Sequence, residues 1–217
     1  AYCSFVNGGK LIEPILVDRI QDSEGNTIYN SESRKCKKCS EISYLGKNYP
    51  KIKDNFPQIF SEETAYQITS ILEGVIKRGT GKRLKKLNLD LAGKTGTTNE
   101  NTDAWFVGYT SNLVVGVYVG FDDPKSLGKY ETGAKTAMPI FKSFIENSIK
   151  KGDARPFKVA KNIKMMVIDS KTGKKANFGS KETIIEVFKK NTFEKKNFKD
   201  NDNFKYGFKK NNILKFY

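Results

Sequence analysis

Histidine is absent from these 217 residues. That removes Ser-His-Asp and Cys-His nucleophile pairs, imidazole acid–base work and histidine-ligated zinc together. Any proton transfer falls to lysine, tyrosine or a carboxylate. Cysteine is nearly absent, with three residues, two of them in Cys36-Lys-Lys-Cys39. Such a pair serves as half a zinc ribbon, a redox pair or a local disulfide. Zinc wants four ligands and Cys3 is the only other thiol, so a closed metal site within the chain is not expected. Neighbouring lysines would lower the thiol pKa values, although nothing else points to redox catalysis. No apolar run approaches the ~20 residues of a membrane span, and no signal peptide is legible at the start.

What is present describes a globular chain with a basic end. Hydrophobic residues make up 37% and aromatics 12%, enough for a real core. The net charge of +15 is uneven. Residues 1–150 hold 21 basic and 17 acidic groups, a net of +4, whereas residues 151–217 hold 18 and 7, a net of +11. The overall basicity therefore belongs to the last third.

The most informative stretch is Leu87–Asp122. Asn88-Leu-Asp-Leu-Ala-Gly93 alternates with period two and predicts a half-buried strand. It runs into Lys94-Thr95-Gly96-Thr97-Thr98. On an extended strand Lys94 and Gly96 face one side, Thr95 and Thr97 the other. Gly96 leaves bare backbone that a ligand or another chain can approach. Asn99–Thr102 reads as a turn, and Asp103–Tyr109 and Leu113–Phe121 are strongly β-prone. Together they predict a three-stranded antiparallel meander led by the Lys-Thr-Gly segment.

Around it, Tyr2–Gly9 reads as a helix end closed by Asn7-Gly8-Gly9. Lys10–Ile20 reads as extended, and Asp22–Asn26 as a hairpin turn leading into Thr27-Ile-Tyr29. Residues 30–53 are polar and cationic, a surface insertion. Ser61–Lys77 is the clearest helix, with Ser61 as N-cap, Glu62 and Glu63 in the first turn, and Gly79 as its stop. Its apolar stripe is Ala65, Ile68, Ile71, Leu72, Val75 and Ile76, read as core packing. Lys82–Lys86 reads as a basic loop. A second amphipathic helix is predicted over Ala134–Ile149, with Ala137, Ile140, Phe141, Phe144, Ile145 and Ile149 on its apolar face and Pro139 delaying its start. Ile163–Asp169, Ser170–Gly173 and Thr183–Phe188 read as strand, turn and strand. Residues 191–217 have no period and are expected to be disordered.

Gly93-Lys94-Thr95 is not the end of a phosphate loop. That motif wants glycine at position 88, which is asparagine, and it opens a helix where this segment opens strands.

Lys94-Thr95-Gly96 matches the Lys-Thr-Gly element of penicillin-binding proteins and class A β-lactamases. The wider stretches Ala92–Thr98, Asp103–Tyr109, Val117–Asp122 and Arg78-Gly-Thr-Gly81 resemble the bifunctional (class A) penicillin-binding proteins. The resemblance covers residues 1–190. It implies an α+β fold, an antiparallel sheet packed with helices, as in penicillin-binding transpeptidase and β-lactamase-like domains. Residues 1–151 would be the C-terminal half of the transpeptidase domain, with a surface insertion at about 30–53. Residues 152–190 would be a small β extension and 191–217 a basic tail.

By the same resemblance the reaction is peptidoglycan D,D-transpeptidation. A serine attacks the D-Ala-D-Ala bond of a stem peptide and an amine of a neighbouring stem resolves the acyl-enzyme. Lys94 would border the nucleophile, moving protons and holding negative charge. Thr95 and Thr97 hydroxyls, beside Gly96, would bind the substrate carboxylate, and the Thr97 backbone N–H would be an oxyanion donor. No cofactor or metal is implied. Partners would be stem peptides and β-lactams, the upstream half of the domain and a glycosyltransferase domain, at the periplasmic face of the inner membrane. In an exported protein Cys36 and Cys39 are expected to form a disulfide, with two free thiols as the alternative.

The family's serine is missing. Ser-x-x-Lys occurs at Ser126…Lys129 and Ser148…Lys151, both after Lys-Thr-Gly and no more often than chance provides at this lysine content. Ser-x-Asn occurs nowhere. The expectation is a piece whose nucleophile, membrane anchor and glycosyltransferase domain lie upstream of Ala1, and which is inactive alone. A reading of a different class is a non-catalytic fragment that binds nucleic acid or anionic lipid through its basic, aromatic tail. A solvated tail is favoured over that, and nucleic acid is not an expected partner.

Overall fold

The protein, seen in a computed structural model, is described over residues 1–32, 55–149 and 154–190, with the backbone of two short strands at 36–37 and 51–52. The expectations for the Cys36–Cys39 pair and the C-terminal tail fall outside the described residues. Two compact units emerge: Lys10–Ile59, and residues 1–9 with those from Phe60 onward.

In the first unit, β1 (Arg19–Gln21) and β2 (Thr27–Asn30) pair antiparallel. The predicted turn joins them. Asp22 Oδ1 accepts from the amides of Glu24 at 3.0 Å and Asn26 at 2.8 Å, the local bonding that favours aspartate in turns. A second two-stranded ladder pairs β3 (Cys36–Lys37) with β4 (Lys51–Ile52).

The second unit opens with α1 (Tyr2–Val6), capped at Asn7 and followed by Gly8 and Gly9 at positive φ. Its Phe5 ring stacks on Phe60 with centroids 5.8 Å apart. Helix α2 (Glu62–Arg78) starts where predicted: Ser61 Oγ accepts from the Thr64 amide at 3.2 Å. Its stripe is only partly covered. Ala65, Val75 and Ile76 are buried, but Ile71 is 54% exposed.

The Lys82–Lys86 region corrects the sequence reading. Lys82–Leu87 winds into a 3-10 helix that buries Leu84, and Asn88 ends it in the left-handed region at φ 53°. Asparagine tolerates that conformation better than most residues. Strand structure therefore begins not at Asn88 but at Ala92.

The meander itself forms as expected, with β5 (Ala92–Thr97), β6 (Ala104–Tyr109) and β7 (Val114–Val119) in the order β5-β6-β7. The register sets Lys94 opposite Val107, Gly96 opposite Trp105 and Thr97 opposite Ala104. A π-helical turn at Gly133–Ala137 leads into α3 (Met138–Ser148), so Pro139 sits at the true start of the α-helix. Phe141 of α3 meets Phe106 with ring centroids 4.7 Å apart. Glycine at 108 makes room for that pair, since a Cβ there would sit 2.7 Å from Phe106 and 2.8 Å from Phe141. Ile140 and Phe144, assigned to the apolar face from periodicity, are instead about half exposed.

Strands β8 (Ile163–Asp169) and β9 (Thr183–Lys189) form a seven-pair antiparallel ladder. It belongs to the same unit and lies along α2. Gln67 Nε2 donates to the Val187 carbonyl at 3.1 Å, Lys189 Nζ to Thr64 Oγ1 at 2.7 Å, and Arg78 pairs with Glu186 at 2.8 Å. Among the described residues no helix is long and apolar enough to cross a membrane.

Candidate active site

Among the described residues the Lys-Thr-Gly strand is an edge of its sheet. Beyond it, Thr98 N–H donates to the Asp103 carbonyl at 3.1 Å in the same register as the strand pairs. In an antiparallel ladder bonded and non-bonded pairs alternate. Residues 92, 94 and 96 therefore spend their backbone groups on β6. Gly93, Thr95 and Thr97 turn theirs to the free edge. The Thr97 N–H thus points away from the sheet, as an acceptor-seeking donor on a rigid element.

Each side chain of the motif is held differently. Lys94 is exposed, and its ammonium folds over the edge to donate to the Thr95 carbonyl at 2.8 Å, with Thr95 Oγ1 at 3.5 Å. Thr95 Oγ1 is also 3.0 Å from Thr80 Oγ1. Thr97 Oγ1 accepts from the Gly133 amide at 3.0 Å. The alternation seen in the sequence is real: Lys94 leaves one face, while Thr95 and Thr97 turn to the face that α3 covers.

The Lys94 face is closed at one end and open at the other. Toward Ala92, the fully buried Tyr109 donates to Thr69 Oγ1 at 3.0 Å and meets the rings of Tyr2 and Phe157 edge-on. Burial pushes the Tyr109 hydroxyl up to about 12. Toward Gly96, Trp105 is 43% exposed and lies 4.7 Å from the Tyr118 ring. Tyr118 donates to Asp103 Oδ1 at 2.9 Å, a bond that raises the tyrosine pKa. The result is an aromatic wall beside Lys94, next to an edge whose amides have no partner among the described residues.

Among the described residues the motif runs along an open sheet edge. A cleft of about 340 Å³ lies elsewhere, lined by Ile76, Lys77, Lys85 and Asn88–Leu91. Of the two Ser-x-x-Lys matches, Ser126…Lys129 is bonded elsewhere, and Lys151 of the other lies outside the described residues. Ser126 Oγ donates to the Glu100 carbonyl at 2.8 Å and accepts from the Gly128 amide, the bonding of a loop residue. Lys129 sits over the Tyr130 ring. Among the described residues no cluster of His, Cys, Asp or Glu is arranged for a metal. Sequence reasoning missed Thr80 and Gly133 as neighbours of the motif. They lie 15 and 36 residues from their partners.

Comparison with known proteins decides the family. The model described as the penicillin binding protein transpeptidase domain matches residues 1–146. The chain belongs to that family. Penicillin-binding protein 1A of Rickettsia conorii is 44% identical over 196 residues, covering 89% of this chain and 24% of the relative. That of Pseudomonas aeruginosa is 32% identical over 219 residues, covering 87% and 27%. The crystal structure of penicillin-binding protein 1A from Haemophilus influenzae superposes with a TM-score of 0.69 at 33% identity, covering 86% of this chain and 30% of that one. The α+β fold of the family is therefore this chain's fold. The chain spans about a quarter of the length of the curated relatives it matches.

Proposed function

We propose that this chain carries the Lys-Thr-Gly wall of a peptidoglycan D,D-transpeptidase that penicillin acylates. The observation that supports it best is the free edge of β5. There the Thr97 N–H and the Lys94 ammonium stand together on a strand fixed by six register pairs. Donors on a rigid strand stabilise a developing oxyanion without reorganising. Lys94 supplies positive charge and a movable proton, Thr95 and Thr97 supply hydroxyls for the substrate carboxylate, and Gly96 keeps the approach open. Trp105 and Tyr118 wall the same side.

In this reading residues 1–151 are the carboxyl-terminal half of the transpeptidase domain and 152–190 an extension docked on α2. The serine comes from a Ser-x-x-Lys element outside these 217 residues. Stem peptides and β-lactams are the ligands, and the setting is the periplasmic face of the inner membrane. A polyanion-binding role rests only on residues 191–217, and nothing in the described residues favours it.

The experiment is acylation by a fluorescent penicillin, followed by intact mass. The chain alone is expected to remain unlabelled. A chimera is expected to take up one penicillin per molecule when the full chain is joined behind the segment that precedes the matching region in the Rickettsia conorii relative. An adduct on the chain alone would overturn the assignment of the nucleophile elsewhere. A folded chimera that never labels would overturn the reading itself.

A further inference from the structure

We infer that Gly133 is a positioning residue for this site: it fixes Thr97 and commits the Thr97 hydroxyl to act as a donor to a bound carboxylate. This deepens the transpeptidase reading and rests on it.

Two independent features of Gly133 carry the inference. The first is its amide. A hydroxyl has one proton to give and two lone pairs to receive. The Gly133 N–H occupies one lone pair of Thr97 Oγ1 at 3.0 Å. The hydroxyl proton then has to go to a different acceptor, and among the described residues no protein group takes it. A carboxylate accepts and never donates, so a hydroxyl already charged with one donor is suited to receive it.

The second feature is the missing side chain. A Cβ on Gly133 would run into the carbonyl oxygens of Trp105 and Gly96, closer than real Cβ atoms come, and would lie 3.1 Å from the Gly96 nitrogen. Gly133 thus lies flat on the Gly96–Trp105 pair, one of the six backbone pairs that join the Lys-Thr-Gly strand to its neighbour. Its φ is not positive, so the requirement is for space and not for conformation. Any larger residue has to lift the turn off the strand or push the strand outward, and either shift moves Thr97.

The turn has little freedom to absorb such a shift. Lys135 and Thr136 amides both donate to the Thr132 carbonyl, at 2.9 and 2.8 Å. Thr136 Oγ1 donates to Glu131 Oε2 at 2.6 Å, and Lys135 pairs with Glu131 at 3.1 Å. These bonds hold the Glu131 carboxyl below its ordinary range, so the brace is in place at neutral pH.

The test uses the chimera and two probes, a penicillin and its carboxyl methyl ester, with melting temperature measured on every variant. The parent is expected to prefer the free carboxylate. Gly133→Ala and Thr97→Val are each expected to lower the ratio of the two acylation rates by about tenfold, the worth of one charge-assisted hydrogen bond. Thr97→Ser keeps the acceptor and should keep the ratio. The double variant should lose no more than the larger single loss, because both changes remove one interaction. A general structural defect would slow both probes alike and leave the ratio unmoved, which would overturn the inference. So would a parent-like ratio in Thr97→Val, the variant that decides the matter if Gly133→Ala fails to fold. Those outcomes leave the transpeptidase reading standing. A parent that is acylated by neither probe overturns both.

Discussion

The hairpin β1–β2 and the meander β5–β7 are both antiparallel, both rich in β-branched residues, and held in order by different means. Every residue from Leu11 to Asn30 is exposed, Leu16 at 99% and Ile28 at 70%. The hairpin rests on its turn, where Asp22 collects two amides and the Asn26 side chain. In the meander Ala104, Phe106 and Tyr109 are fully buried, and one face is sealed by α3. A two-stranded ribbon is marginal by itself, whereas a third strand and a covering helix make a sheet independently stable. Rigidity is therefore concentrated in the sheet that carries the Lys-Thr-Gly strand.

Core deletion should break the two regions most unequally. Phe106→Ala removes a ring locked against Phe141 and is expected to cost about 3–5 kcal/mol. Ile28→Ala should change stability by less than about 0.5 kcal/mol. Denaturant unfolding compares them directly, and equal effects would show that the burial contrast has no energetic meaning.

Alkaline pH sharpens the contrast. Burial raises the Tyr109 pKa to about 12 in the folded chain, against an ordinary tyrosine value of 10.0. The folded state holds its proton longer, so the stabilisation is complete below pH 10 and is lost as pH rises towards 12. The loss should be on the order of 2 kcal/mol. Subtracting the pH dependence of Tyr109→Phe from that of the parent isolates it. Coincident curves would contradict the buried placement.

Ser61→Ala tests the helix beside the meander. Loss of the bond to the Thr64 amide should cost about 1 kcal/mol. The smallest effect is expected at Asp22. Hydrogen bonds from Asn26 hold its carboxyl below the ordinary range, so the turn is stabilised above that range and loosens as pH falls through the folded-state value. Asp22→Ala should erase the protection of the Asn26 amide in exchange measurements and leave the melting midpoint unchanged. A shifted midpoint would show that the hairpin contributes more than its exposure implies.

Much of this was legible in the chain because the signals are local. Ser61 with Glu62 and Glu63 marks the start of α2, Asp22–Asn26 marks a turn, and the alternation of Lys94 to Thr97 marks two faces of a strand. What failed to show was decided by neighbours distant in sequence. Asn88–Leu91 alternates like a strand but follows a 3-10 helix and has no pairing partner among the described residues before Ala92 meets Tyr109. Ile71, Ile140 and Phe144 lie on apolar stripes whose outer margins nothing in the described residues covers. The hydrogen bonds from Thr80 and Gly133 to the motif are tertiary, and no pattern within the Lys-Thr-Gly stretch announces them.

The central claim is that Lys94 works at the edge of β5 and is not a solvated strand residue. The measurement is the penicillin acylation rate of Lys94→Ala in the chimera, set against its melting temperature. The transpeptidase account predicts a fall of about 10²–10³ with melting nearly unchanged, since one electrostatic group of a preorganised site is lost. Lys94→Arg should fail to restore the rate, because a planar guanidinium does not replace a compact ammonium. Acylation within about threefold of the parent in a folded Lys94→Ala protein, below the loss expected for such a group, would contradict it.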